Sequence, residues 1–311
     1  MSKIIVTGGS GFLGSHLCQS LTDNNNKVFI PRSSAFDLTE KNKCEKLLQY
    51  MGTPDVVVHL AARCGGIGAN MHNPGQYFYE NITMGVNIIE ACRKFKVKKF
   101  ILIGTVCSYP KHCAVPFKEE DIWTGFPEET NAPYGIAKKS LYVMLDAYYK
   151  QYGMNSTILV PSNLYGPNDN FKEESSHVIP ALIKKIYNAK IDGDPTVEVW
   201  GDGTASREFL YAGDAAEAIE KSIYTRTDPT PINIGTGDEI TIMDLSHKIK
   251  DLLDYEGQLV FNHKYPNGQP RRCVDTRLAK NILNFEAFTT LDEGLAETVD
   301  WFLCQNTKTC I

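Results

Sequence analysis

The chain of 311 residues has a hydrophobic fraction of 42% and a net charge of −5, enough length to bury the core of one large domain or two intimate ones. A pI near 5.8 leaves no overall basic footprint for nucleic acid, so an anionic ligand needs a local cationic patch. No stretch reaches the apolar length of a membrane span, and the start MSKIIVTGG enters a strand pattern without signal-peptide layout, which predicts a cytoplasmic protein.

Lys3–Thr7 is a β-branched run followed at once by GGSGFLG and then by an apolar spacing that predicts a helix. Gly8, Gly11 and Gly14 fall in the order G-x-x-G-x-x-G directly after a first strand. That context points to dinucleotide binding: the first glycine permits the tight turn, the second a close pyrophosphate, the third the packing of helix on strand. The second predicted strand, KVFIP, ends without the acid that accepts from an adenosine ribose hydroxyl, and Arg32 follows. Arg32 either pairs with a 2′-phosphate, favouring NADP(H), or is a solvated surface arginine. Asp37, in the FDLTE turn, either caps the next helix or contacts adenine.

DVVVHL, 55–60, is a run typical of a strand buried on both faces, and Ala61 after it leaves room for a cofactor. The glycine-rich loop 63–70 follows the carboxyl end of that strand, where open α/β sheets bind ligands. Residues 77–94, with Asn81, predict a helix, and KFILIG, 99–104, another buried strand that delivers Thr105 and Cys107 to the same rim. In PYGIAKK, Tyr134 and Lys138 stand four apart and share one face of a helix. An ammonium there is expected to bring the phenol's pKa down, which suits an acid or base at a sugar or ketone oxygen. A further strand over 155–160 leads into PSNLYGPNDNF.

Alternating strands and helices predict an α/β fold with a doubly wound, Rossmann-like parallel sheet through about residue 168. A smaller mixed α/β substrate region is expected over 169–311, with a segment near 208–237 returning to the sheet. Within it, residues 175–186 predict a loop entering a helix, VEVWGDGTASREFLY two short strands around a turn, and PINIGTG a strand returning to the sheet. Nine cysteines show no CxxC or other metal spacing, so reduced thiols and no metal are expected.

The order of TGGSGFLG, GGIGAN, TVCSYP, PYGIAKK, SNLYGPNDNF, SHVIPALIKKI, VWGDGTASREFL, INIGTG and NGQPRR resembles the extended short-chain dehydrogenase/reductases. The similarity runs nearly end to end, and Cys107, His177 and the loops around them resemble the GDP-L-fucose synthase branch of that family. The resemblance implies a reductase triad of Thr105, Tyr134 and Lys138, with Thr105 standing where serine is usual. It implies Cys107 and His177 as the proton-transfer pair beside the sugar ketone. Phe12, Leu13, Leu38 and His177 join the cofactor side, and Gly66, Asn163, Trp200 and Arg207 the substrate side. Ser10 and Cys64 depart from the residues usual at their positions. Taken alone, Cys107 fits a structural thiol, His177 a helix start, Arg207 an ion-pair partner and Trp200 core.

The activity so implied is NADP(H)-dependent 3,5-epimerisation and 4-reduction of GDP-4-keto-6-deoxy-D-mannose. Alternatives are 4-reduction of a related GDP-keto sugar or heptose, 4-epimerisation without net redox change, and a cofactor-holding protein without catalysis. The helices carrying Asn81 and Tyr134 are expected, by the same resemblance, to pair across a two-fold axis into a homodimer.

Overall fold

The first strand, β1 (Lys3–Thr7), is buried along all but its first residue, as a strand covered on both faces must be. The structure is a computed structural model that describes residues 2–306 except 174, 226–227 and 266–267. Met1 and Asn267, the latter at the head of NGQPRR, lie outside the described residues. From β1 the glycine turn leads into α1 (Phe12–Asp23), β2 (Lys27–Phe29), α2 (Lys41–Met51) and β3 (Val56–His59). Next come α3 (Ile67–His72), α4 (Pro74–Lys94) and β4 (Lys99–Ile103), then a 3-10 turn over Val106–Ser108 and the long α5 (Ala132–Tyr152). Proline near the starts of α4 and α5 fits positions whose N–H groups lack helical partners anyway.

Beyond α5 lie β5 (Ser156–Pro161), β6 (Asn163–Tyr165), α6 (Val178–Asp192), β7 (Thr196–Trp200), β8 (Ser206–Arg207) and β9 (Phe209–Tyr211). The chain closes with α7 (Ala212–Tyr224), β10 (Pro231–Ile234), β11 (Ile240–Thr241), α8 (Ile242–Leu252), β12 (Gln258–Asn262), α9 (Arg277–Leu283) and α10 (Leu291–Asn306). Six strands form one sheet in the order β10-β5-β4-β3-β1-β2, all parallel. The expected doubly wound fold is borne out. The direction of winding switches between β1 and β3, which opens a crevice at their carboxyl ends.

Alternate residues of each strand feed opposite layers. Ile5, Val57, Phe100 and Ile158 pack with α2, α4 and α5, whereas Ile4, Val58, Ile101 and Leu159 pack with α1 and α7. A third core joins α6, α8 and α10 around Tyr165 and Phe302. PINIGTG returns to the sheet as expected, with β10 beside β5. Residues 197–211 do not form two strands around a turn. They contribute to three strands, each paired with a remote partner: β7 with β12, β8 with β11 and β9 with β6. Local pattern marked the extended residues, but burial against distant strands chose their partners. Cys18, Cys44, Cys64, Cys92, Cys107, Cys113 and Cys273 are free, as expected of reduced thiols. Cys304, near the end of α10, departs from that expectation because it is disulfide-bonded.

Candidate active site

The glycine turn is a cradle that side chains would fill. Gly8 has φ +74°, and a Cβ there would stand 2.7 Å from the Ala61 nitrogen; a Cβ at Gly14 would stand 2.3 Å from the Gly8 oxygen. Gly11 caps α1 without a side-chain bond, and the first turn of that helix has no acid. Its N–H groups are therefore open to a diphosphate, so the turn fits the dinucleotide that its spacing predicts. Beneath it, Thr7 Oγ1 and His59 Nδ1 meet at 2.8 Å and tie the ends of β1 and β3. Burial, with the Lys138 charge, pushes the His59 pKa down to about 3.

At the end of β4, Thr105 Oγ1 accepts from the Cys107 N–H at 3.2 Å and so caps the 3-10 turn. The Thr105 N–H donates to Tyr142 Oη at 3.0 Å. A Cβ at Gly135 would lie 2.1 Å from the Cys107 carbonyl oxygen, so glycine lets the first turn of α5 rest on this segment. Tyr134 and Thr105 line the same cavity, and Thr105 lowers the phenol's pKa. Lys138, one turn on, is buried and donates through Nζ to the Ile103 carbonyl at 2.9 Å. Burial takes the Lys138 pKa down to about 8.

One expectation is corrected here. The Tyr134 phenol is not brought below its ordinary pKa: burial and the neighbouring Cys64 and Cys107 hold it well above, against the lowering effect of Thr105. Desolvation of the phenolate outweighs the attraction of an ammonium that is itself buried and bonded to Ile103. Tyr134 is therefore a proton donor at neutral pH.

Asn81, reaching from α4, accepts from the Arg63 N–H at 3.0 Å and donates to the carbonyls of Arg63 and Tyr77 at 2.9 and 2.6 Å. It pins the glycine-rich loop to the helix. The Gly66 N–H donates to the Ser175 carbonyl at 3.2 Å, and a Cβ on Gly66 would lie 2.7 Å from the Ser176 oxygen. The two loops close on each other, and His177 follows at the start of α6. Its side chain is exposed and lines the cavity; the surrounding protein and the Arg272 charge hold its pKa below the usual value.

These elements wall one cavity of about 1370 Å³, more than the upper end of roughly 1,000 Å³ for a single small-ligand site. Its wall takes in Gly8, Gly11, Phe12, Leu13, Gly14 and Ala61, together with Thr105, Cys107, Tyr134 and Lys138. Gly66, Asn163, His177, Trp200 and Arg207 line it as well. Three predicted site residues are not in its wall. Arg32 is exposed beside Ser33, which does line it. Asp37 spends its carboxylate on Thr39, accepting from the N–H at 2.9 Å and the hydroxyl at 2.8 Å, and caps this turn, not α2. Leu38 is packed in the core.

Sequence reasoning missed Lys185 and Arg272, which also line the cavity. Burial and the nearby Arg272 take the Arg207 pKa down to about 10. Positive charges lining one cavity suit an anionic group. The repeated basic positions in NGQPRR were the available signal.

Residues 4–235 match the NAD dependent epimerase/dehydratase family. The chain belongs to that family. It is 37% identical over 301 residues to the GDP-L-fucose synthase of Sinorhizobium fredii (strain NBRC 101917 / NGR234), an alignment covering 97% of this chain and 95% of that protein. A GDP-6-OMe-4-keto-L-xylo-heptose reductase from C. jejuni is similar in structure, with a TM-score of 0.92, 27% identity and 98% of each chain covered. A GDP-L-fucose synthetase from Naegleria fowleri bound to NADP has a TM-score of 0.88 and 29% identity, over 99% of this chain and 95% of that one. The branch inferred from the motifs is thereby borne out.

One buried acid beside this epimerase/dehydratase site stands out. Asp169 is 8% exposed; its Oδ1 accepts from the Asn170 N–H at 2.6 Å, and its Oδ2 has no partner among the described residues. Burial pushes its pKa up to about 7. A raised carboxyl pKa means that the unfolded chain gives up its proton first, so stability falls as pH rises from about 4 to about 7 and stays lower above that. Asp169→Asn should therefore stabilise the fold by roughly 2 kcal/mol more at pH 8 than at pH 5. Urea unfolding at the two pH values checks this, and a pH-independent difference refutes it.

Proposed function

We propose that the protein is an NADPH-dependent epimerase and reductase that converts GDP-4-keto-6-deoxy-D-mannose to GDP-L-fucose. The observation that carries the reading is the single cavity in which the glycine cradle, the Thr105–Cys107–Tyr134–Lys138 cluster, His177 and the Arg207–Arg272 pair all meet. On this reading residues 1–168, with the segment near 208–237, serve the cofactor, and 169–311 mainly serve the substrate. The cradle at Gly8 and Gly14 and the open start of α1 would hold the dinucleotide, whose nicotinamide supplies a hydride for C4 when bound. Trp200, Asn163 and the two arginines hold the guanine base or the diphosphate, and Gly66 keeps the loop out of the sugar's way.

A ketone at C4 acidifies the hydrogens at C3 and C5, so inversion there needs a group that removes a proton and another that returns one. Cys107 and His177 fill those roles; the depressed pKa of His177 keeps its imidazole able to accept. Tyr134, held protonated, donates to the C4 oxygen as negative charge collects there, with Thr105 fixing the phenol and Lys138 the adjoining charge. Reduction of a GDP-keto-heptose is the second reading, favoured by the TM-score of 0.92 to the heptose reductase.

Tyr134→Phe should abolish NADPH oxidation while solvent deuterium still enters the keto sugar. Cys107→Ser should suppress that uptake and leave only slow reduction of unepimerised substrate. Wild-type exchange and product from Cys107→Ser would make the thiol structural and leave a plain 4-reductase.

Arg32, exposed next to the cavity-lining Ser33, supports NADPH over NADH through a 2′-phosphate contact. Arg32→Ala should raise the KM for NADPH about tenfold, the order expected of one charge-assisted contact, and leave NADH unchanged; equal effects on both cofactors count against the contact.

A homodimer built on α4 and α5 is supported by the apolar side chains that they expose: Tyr79 at 62% and Val86 at 40%, Val143 at 54% and Tyr149 at 41%. Patches of this kind mark protein interfaces. Light scattering at micromolar concentration should give twice the chain mass, and a monomer mass rules the dimer out. A cytoplasmic location is supported by the seven free thiols named above.

A further inference from the structure

The β7–β12 pair is parallel and places Asn262 opposite Trp200 at its carboxyl end. The Asn262 carbonyl accepts from the Gly201 N–H at 3.0 Å and the Tyr265 N–H at 3.2 Å, and its side chain donates to Glu198 at 2.7 Å. The end of one strand and the turn after the other are thus pinned to a single residue. As a result the Trp200 and Tyr265 rings lie face to face, with centroids 4.3 Å apart and planes within 5°. Lys185, bonded to the Glu198 carbonyl at 3.3 Å, brings its ammonium to 5.3 Å from the Trp200 ring centre.

Neither ring behaves as core. Trp200 is 50% and Tyr265 38% exposed, and both line the large cavity, as do Lys185, Arg207 and Arg272. Free aromatic pairs favour offset or edge-to-face contacts; a nearly parallel pair held by backbone bonds presents a flat, pre-ordered surface at low cost in side-chain entropy. Every nucleobase has a face that stacks on such a surface. The adjacent cations suit the phosphates that a base brings with it.

We propose that Tyr265 is a substrate-positioning residue, forming with Trp200 the stacking shelf for the base of the nucleotide sugar. The proposal rests on the nucleotide-sugar reading above. Tyr265 fixes the base, and the arginines take the diphosphate, so the sugar ketone is aimed at Tyr134 from two anchored points.

The test titrates intact protein with GDP, inorganic pyrophosphate and NADPH by calorimetry. Tyr265→Ala should weaken GDP about tenfold or more while pyrophosphate and NADPH bind as before. It should raise the KM for the keto sugar with kcat nearly unchanged. Tyr265→Phe, which keeps the ring, should restore GDP affinity. Unchanged or tighter GDP binding by Tyr265→Ala overturns the shelf, as does equal weakening for GDP and pyrophosphate, which marks a structural role. Wild-type protein that binds NADPH but not GDP overturns the nucleotide-sugar reading itself, before any variant is made.

Discussion

The closeness of α5 to the end of β4 is the constraint on which the site depends. Beyond the last residue of a parallel strand, backbone groups lose the ladder that satisfied them, and leaving them buried and unpaired costs about 1–3 kcal/mol each. Here Tyr134, Lys138 and Tyr142, spaced one turn apart, form one stripe along α5. Lys138 satisfies the Ile103 carbonyl, and Tyr142 accepts from the Thr105 N–H and meets Ser108 Oγ at 3.2 Å. Two of these three side chains thus hold the strand end in place while the third faces it with a hydroxyl. Gly135 makes the approach possible, because any larger residue would strike the Cys107 carbonyl.

The same closeness sets the electrostatics. Lys138, Tyr134 and His59 are all crowded by protein, and in each burial moves the pKa toward the neutral form. Arg207 and Arg272 line the same cavity, and burial, with the Arg272 charge, takes the Arg207 pKa down to about 10.

Much of this was legible in the chain. The glycine turn, the buried strands and the Tyr134–Lys138 spacing depend on contacts between near neighbours or on the fixed period of a helix, so pattern alone exposes them. The turn's context after β1 was enough to mark a dinucleotide cradle, and the structure shows why no side chain fits there. The direction of the Tyr134 pKa was not legible, because it depends on how much protein surrounds the phenol and not on which residue lies four positions away. Arg272 was hidden for a similar reason: its meaning comes from standing beside Arg207, which a linear motif does not state.

In the C-terminal region, local alternation is enough to make residues 197–211 largely extended and to put Trp200 near the end of a strand. Long-range packing pairs β7 with β12, which brings Tyr265 onto Trp200, and β9 with β6, which sets Asn163 opposite Phe209. Alternation and turn residues are properties of a short stretch. Partner choice between short strands depends on side-chain packing in the third core, around Tyr165 and Phe302, whose members come from helices and strands scattered across the second half of the chain.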